Sequence, residues 1–170
     1  MKRQMLLAAI AAAIINPQSA PFAAADTRHR PNLRTVVITI GRIAAIDNMD
    51  ANLLVPDRAD FYVKAAVNGH WKRTETMFGK DRTSRAMQLM FPVSGSIARI
   101  HMQLFDDDGG IEGRDDRCDI NPMRGARELD IVYNLNTGRI SGDVSGYRGS
   151  PITVVGHGDA NRARITFTIR

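Results

Sequence analysis

After residue 34, apolar and polar positions alternate along most of the chain, with a period of two. Residues 35–43 (TVVITIGRI) are rich in β-branched side chains, the composition of a strand. In residues 60–67, Phe61, Val63, Ala65 and Val67 fall on one face, and Tyr62 and Lys64 on the other. Asn68-Gly69 follows, a two-residue hairpin signal, because both central positions of such a turn need a positive φ. Residues 70–77 are the predicted return strand, and 78–85 a polar connection. Residues 87–93 and 97–105 are predicted strands parted by Ser94-Gly95. In the second of them Ile100, Met102 and Leu104 oppose Arg99, His101 and Gln103. Strands over 128–133, 139–144 and 164–169 complete the set. No segment holds a 3.6-residue period over ten or more positions; 84–90 comes nearest. The pattern predicts an all-β fold, an eight-stranded antiparallel β-sandwich.

The start of the chain follows a different rule. Lys2 and Arg3 precede residues 5–15 (MLLAAIAAAII), an uncharged apolar run. Asn16 and Pro17 break the run, and Ala23-Ala24-Ala25 offers a small-x-small cleavage site before Asp26. This is the layout of a secretory signal peptide. The run falls short of the roughly 20 apolar residues that a spanning helix needs. The expected organisation is a signal peptide over 1–25, a flexible lead-in over 26–34 and one domain over 35–170. The expected location is a bacterial periplasm or the outside of the cell, with cleavage after Ala25.

Composition narrows the function. A length of 170 residues suits one domain, and 44% apolar residues argue against disorder. One cysteine excludes a disulfide scaffold within the chain and any multi-cysteine zinc site. The chain has 15 Asp against 3 Glu and 19 Arg against 4 Lys, so two of the good helix formers are scarce. The formal charge of +5 falls to +3 when Lys2 and Arg3 leave with the leader. So mild a charge, with ten aromatic residues, gives nucleic-acid binding little support.

Where the aspartates sit matters more than the sum. Ten of the 15 lie in the windows 47–60 and 106–119. The run Asp106-Asp107-Asp108 is self-repelling unless a cation or basic side chains neutralise it. Calcium takes about 6–8 oxygen ligands in irregular geometry, which loops of Asp can supply. An EF-hand reading fails on spacing. Counting from Asp106, the fifth position is Gly110 and the twelfth is Arg117, where ligands are required.

The order of these features resembles a C2 domain, the calcium- and phospholipid-binding β-sandwich. One carrying piece is Asp60-Phe61-Tyr62-Val63-Lys64, with Phe61 where the family usually has Pro. A second is Leu104-Phe105-Asp106-Asp107-Asp108, followed by Asp115-Asp116. A third is the strand 36–43 running into Ala44-Ala45 and an acidic loop. The last is the closing strand 163–169. That strand fits the circularly permuted variant, in which it fills the slot of the other variant's first strand. The likeness runs from about Leu33 to Arg170.

The resemblance implies that Asp50, Asp60, Asp106, Asp108 and Asp116 coordinate one or two Ca²⁺ ions at one end of the sandwich. A longer first loop leaves Asp47, Asp50 and Asp57 competing for one of these positions. The glycine usually found three residues after the last loop Asp is absent, since Asp119 stands there. Lys64, Lys72 and Arg73, with His70, form a basic strip on the hairpin that would attract anionic phospholipid headgroups. The alternative for this strip is a solvated face. Trp71, just past the turn, is expected to pack on the core edge, with insertion at an interface as the alternative.

The implied function is an exported, non-catalytic module that binds Ca²⁺ and, with it, an anionic lipid or other anionic surface. The alternative is a calcium-independent sandwich making protein contacts in the cell envelope, its Asp loops solvated or paired with Arg114 and Arg117. Neither the four histidines nor His157-Gly158-Asp159, which reads as a turn, forms a catalytic motif. Cys118, between acidic neighbours, is expected to be a buried, inert thiol.

Overall fold

The computed structural model describes residues 33–47, 59–79, 82–83, 85–108 and 115–170. The leader and its cleavage site, Asp50 and Asp57 lie outside the described residues. The strands are β1 (Leu33–Ala45), β2 (Phe61–Val67), β3 (His70–Arg73), β4 (Arg82–Thr83), β5 (Met87–Ser94) and β6 (Ile97–Asp106). They continue as β7 (Asp116–Cys118), β8 (Leu129–Asn134), β9 (Arg139–Gly142), β10 (Gly146–Tyr147), β11 (Ile152–Val155) and β12 (Ala163–Ile169). Every predicted strand has its counterpart among them. The count rises from eight to twelve because β4, β7, β10 and β11 are two to four residues long, too short for alternation to stand out.

Two antiparallel sheets result. The first runs β11-β12-β1, and the other edge of β1 is shared by β5 and β4. The second runs β10-β9-β8-β6-β2-β3, with β7 pairing the end of β6 beyond β8. The closing strand β12 lies beside β1, in the slot that the permuted reading requires. The β2–β3 hairpin turns on Asn68 (φ 50°) and Gly69 (φ 85°), as both-positive turn geometry demands.

The core is built from the inward face of each sheet. Val36, Ile38, Ile40, Leu89, Phe91, Ile165 and Phe167 come from the first sheet. Phe61, Val63, Ile100, Met102, Leu104, Leu129, Ile131 and Tyr133 come from the second. Trp71 does not join them. It is 53% exposed and meets the edge of His101, with ring centroids 5.5 Å apart. Its place on edge strand β3, where all four residues are exposed, explains the departure.

In β1 the alternation breaks once. Ile38 and Ile40 point inward, and a β-bulge between Ile40 and Arg42 then shifts the register. Ile43 becomes the next inward residue, and Arg42 and Ala44 turn to the outer face.

Candidate functional site

The aspartates gather at one end of the sandwich because strand ends meet there. Asp60 immediately precedes β2, Asp106 closes β6 and Asp116 opens β7. The register sets Phe61 opposite Asp106, and Asp106 opposite Asp116. Asp60 and Asp106 are latched together. The Asp60 amide donates to Asp106 Oδ1 at 2.5 Å, and the Asp107 amide donates to the Asp60 carbonyl at 2.9 Å. The Asp60 side chain also accepts the Gly79 amide, tying the return from β3 to the same end. Asp106 is buried, Asp60 and Asp108 half-buried, and Asp116 exposed. Asn161 Nδ2 lies 3.5 Å from Asp116 Oδ2, at the limit of a hydrogen bond.

Several neighbouring carboxylates are engaged by the protein's own donors. Arg162 grips Asp47 in a two-pronged pair, Nη2 to Oδ1 at 2.7 Å and Nε to Oδ2 at 3.0 Å. The Arg162 amide adds 2.9 Å to Oδ2. Both Asp47 oxygens are thus engaged by Arg162. Asp107 accepts the Thr76 hydroxyl at 2.9 Å and lies 3.6 Å from Arg73 Nη2. Asp115 accepts the Tyr62 hydroxyl. Burial, then that hydrogen bond to a carboxylate, pushes the Tyr62 phenol well above the usual tyrosine range.

The Arg162 hydrogen bonds hold Asp47 below its ordinary value of 3.8, with burial opposing them. A depressed carboxylate adds stability that is present above its unfolded pKa and is lost as pH falls through the folded one. The stability gap between wild type and Asp47→Asn is therefore expected to be largest near neutrality and to close below about pH 4. Urea unfolding at pH 7 and pH 3 checks this. A gap of equal size at both would deny the pair its role.

The basic strip lies on the β2–β3 hairpin. Lys64 and Arg73 are cross-strand partners on the outer face of the second sheet. There Tyr62 and Phe105 stack at 5.1 Å with their planes 6° apart. Arg73 lies 4.0 Å above Tyr62, and Lys64 Nζ 4.5 Å above Phe105. Lys72 has the opposite parity and reaches the first sheet, donating to the Met90 carbonyl at 2.6 Å. All three predicted anion-binding cations line one shallow depression with Trp71 and Gln103, and Arg73 is also tied to Asp107.

A buried polar knot secures the same end and was not legible in the sequence. Asp119, 1% exposed, accepts the Asn121 amide at 2.9 Å and the Gly158 amide at 2.5 Å. Asn121, equally buried, donates to Asp143 at 2.8 Å and accepts the Met123 amide at 2.8 Å. Asp119, which stands where the family pattern has glycine, is thus a structural carboxylate. The glycine pair around His157 belongs to the knot, since Gly156 lies against the Asp119 carbonyl and Gly158 against its carboxylate. Cys118 is fully buried. Burial, reinforced by the charges of Asp106 and Asp116, pushes its thiol far up and keeps it protonated.

Calcium requires hard oxygen donors, and Asp60, Asp106 and Asp116 sit at three strand ends. Among the described residues, no group of three or more His, Cys, Asp or Glu side chains converges as an ion site.

No family model matches the sequence, and no curated protein matches it either. Solved structures do. A C2 domain of plant extended synaptotagmin 1 matches with a TM-score of 0.50 at 13% identity, over 79% of this chain and 91% of that one. A structure described as a C2 domain matches with a TM-score of 0.45 at 10% identity, over 79% and 96%. Human GIVD cytosolic phospholipase A2 matches with a TM-score of 0.46 at 13% identity, over 79% of this chain but 16% of the enzyme. The chain thus corresponds to a small part of the phospholipase. The likeness is one of fold: the protein has a C2-like β-sandwich.

Proposed function

We propose that this protein is an exported module that binds Ca²⁺ at the acidic end of its sandwich and engages an anionic lipid surface through it. The carrying observation is the latch between Asp60 and Asp106, with Asp116 opposite in register, so that carboxylates from three strand ends share one tip. Asp108 and Asp50 would complete the ligand set. The C2-like fold supports this reading, and the leader-like pattern of residues 1–25 supports an exported setting. Bound calcium would cancel the repulsion along Asp106-Asp107-Asp108 and give the tip an attraction for phosphate. Lys64 and Arg73, on the outer face of the adjoining sheet, would add to that attraction.

The test is a calorimetric titration of the chain from Asp26 onward with CaCl₂, paired with melting in calcium and in chelator. Calcium at about ten times its Kd contributes roughly 1.4 kcal/mol, a rise in Tm of about 3–6 °C. Asp106→Asn with Asp108→Asn should abolish both the heat and the shift. Absence of either signal in the wild type would sink the calcium reading.

A specific observation favours a second reading. Asp47, Asp107 and Asp115 already have Arg162, Thr76 with Arg73, and Tyr62 as partners. Such a tip could serve calcium-independent protein contacts in the envelope, and then melting would be identical in calcium and chelator.

A further inference from the structure

The outer face of the first sheet carries a second charged constellation. Its floor is Ala44, which the bulge in β1 turns outward. Arg82 on β4 and Arg164 on β12 both register with Ala44, one on each side. At roughly 4.8 Å per strand, their backbones stand about 10 Å apart across the small alanine. Arg42, two residues earlier on β1, forms the third corner. It registers with Thr166, which registers in turn with Thr153 on β11. The two threonine hydroxyls lie 2.9 Å apart. These six residues line a depression of about 670 Å³.

The charge arrangement is one-sided. Among the described residues, none of the three guanidiniums has an ion-pair partner, in contrast to Arg162, which holds Asp47. Three like charges around an alanine repel one another, a cost that an anion between them would reverse. Guanidinium forks match the oxygens of a tetrahedral oxyanion, and hydroxyls can donate to the remaining ones. Among the described residues, no carboxylate lines the depression to repel such a guest.

We propose that Arg42, Arg82 and Arg164, with Thr153 and Thr166, form a calcium-independent site for a phosphate monoester group. The site shares no residue with the acidic tip or with the basic strip on the second sheet, and it does not depend on the calcium reading.

The test runs in chelator, which removes calcium from the outcome. Inorganic phosphate is titrated at constant ionic strength against chloride, with Tm and backbone amide NMR shifts as readouts. In a second arm, the protein is sedimented with phosphatidylcholine vesicles with and without phosphatidate. Phosphate should raise Tm and move the amides of Ala44, Arg164 and Thr166. Arg42→Gln with Arg164→Gln should weaken binding by about tenfold or more. Arg42→Lys, which keeps the charge but loses the fork, should weaken it less and guards against a folding failure of the double variant. A response in the phosphate arm alone assigns a soluble ligand, and one in the phosphatidate arm alone a membrane-borne one. Silence in both arms, an equal effect of chloride, or binding unchanged in the double variant would overturn the proposal.

Discussion

Gly156→Ala is expected to lower stability by about 3 kcal/mol or more, a fall in Tm of about 6–12 °C. A methyl group at position 156 would overlap the Asp119 carbonyl oxygen. That oxygen is backbone, and it already accepts the Ala163 amide at 2.8 Å, so it cannot swing aside. The segment carrying Gly156 is held too, since its amide donates to the Ala163 carbonyl at 3.1 Å. Relief therefore requires moving the knot that joins the ends of β7 and β11 to the start of β12. Position 158 provides the contrast. A methyl there would meet the Asp119 side chain, Oδ2 at 2.5 Å, which a rotation can relieve. Asp119→Ala should consequently rescue more of the loss in Gly158→Ala than in Gly156→Ala, where the overlap with the backbone carbonyl persists. Thermal and urea unfolding of these single and double variants measures this. A Gly156→Ala protein as stable as wild type would refute the close packing at the acidic end.

Phe167→Ala should cost about 3–5 kcal/mol, the range for deleting a fully buried aromatic side chain. Phe167 is 1% exposed at the centre of β12, between Ile40 of β1 and Ile152 of β11 in the register. Both flanking isoleucines are themselves buried, so the void would open inside the core. Thr168, the next residue, points to the other face and pairs with Thr39. Thr168→Ala should therefore cost under about 1 kcal/mol. Matched denaturation curves for the two variants check both the burial and the placement of the closing strand. Equal losses at 167 and 168 would mean that β12 does not sit in the register described.

The longer strands were readable because a strand's face is a local property. Side chains at i and i+2 share a face whatever the strand pairs with, so Phe61-Val63-Ala65-Val67 and Ile100-Met102-Leu104 declare their buried side. The Asn68-Gly69 turn is local in the same way. Failures came where a residue's fate rests on a distant segment. The parity of Lys72 was visible, but not that it reaches Met90. Trp71 reads as packing on the core edge, but all four residues of the edge strand β3 are exposed. Short β7 and β11 exist because β6 and β12 offer them a ladder.

The acidic tip shows the same division. Composition and spacing alone determined that ten aspartates cluster in two windows and that repulsion there needs an answer. Only the tertiary structure decided who answers. Arg162, which is 115 residues from Asp47 in the chain, takes that carboxylate, while Tyr62 and Arg73 meet Asp115 and Asp107. Asp60 and Asp106 are left latched together with Asp116 opposite. Alternation is written residue by residue, so the sequence carries the all-β sandwich and its buried faces. Charge pairing depends on which strand ends converge, and that is settled only when the two sheets close.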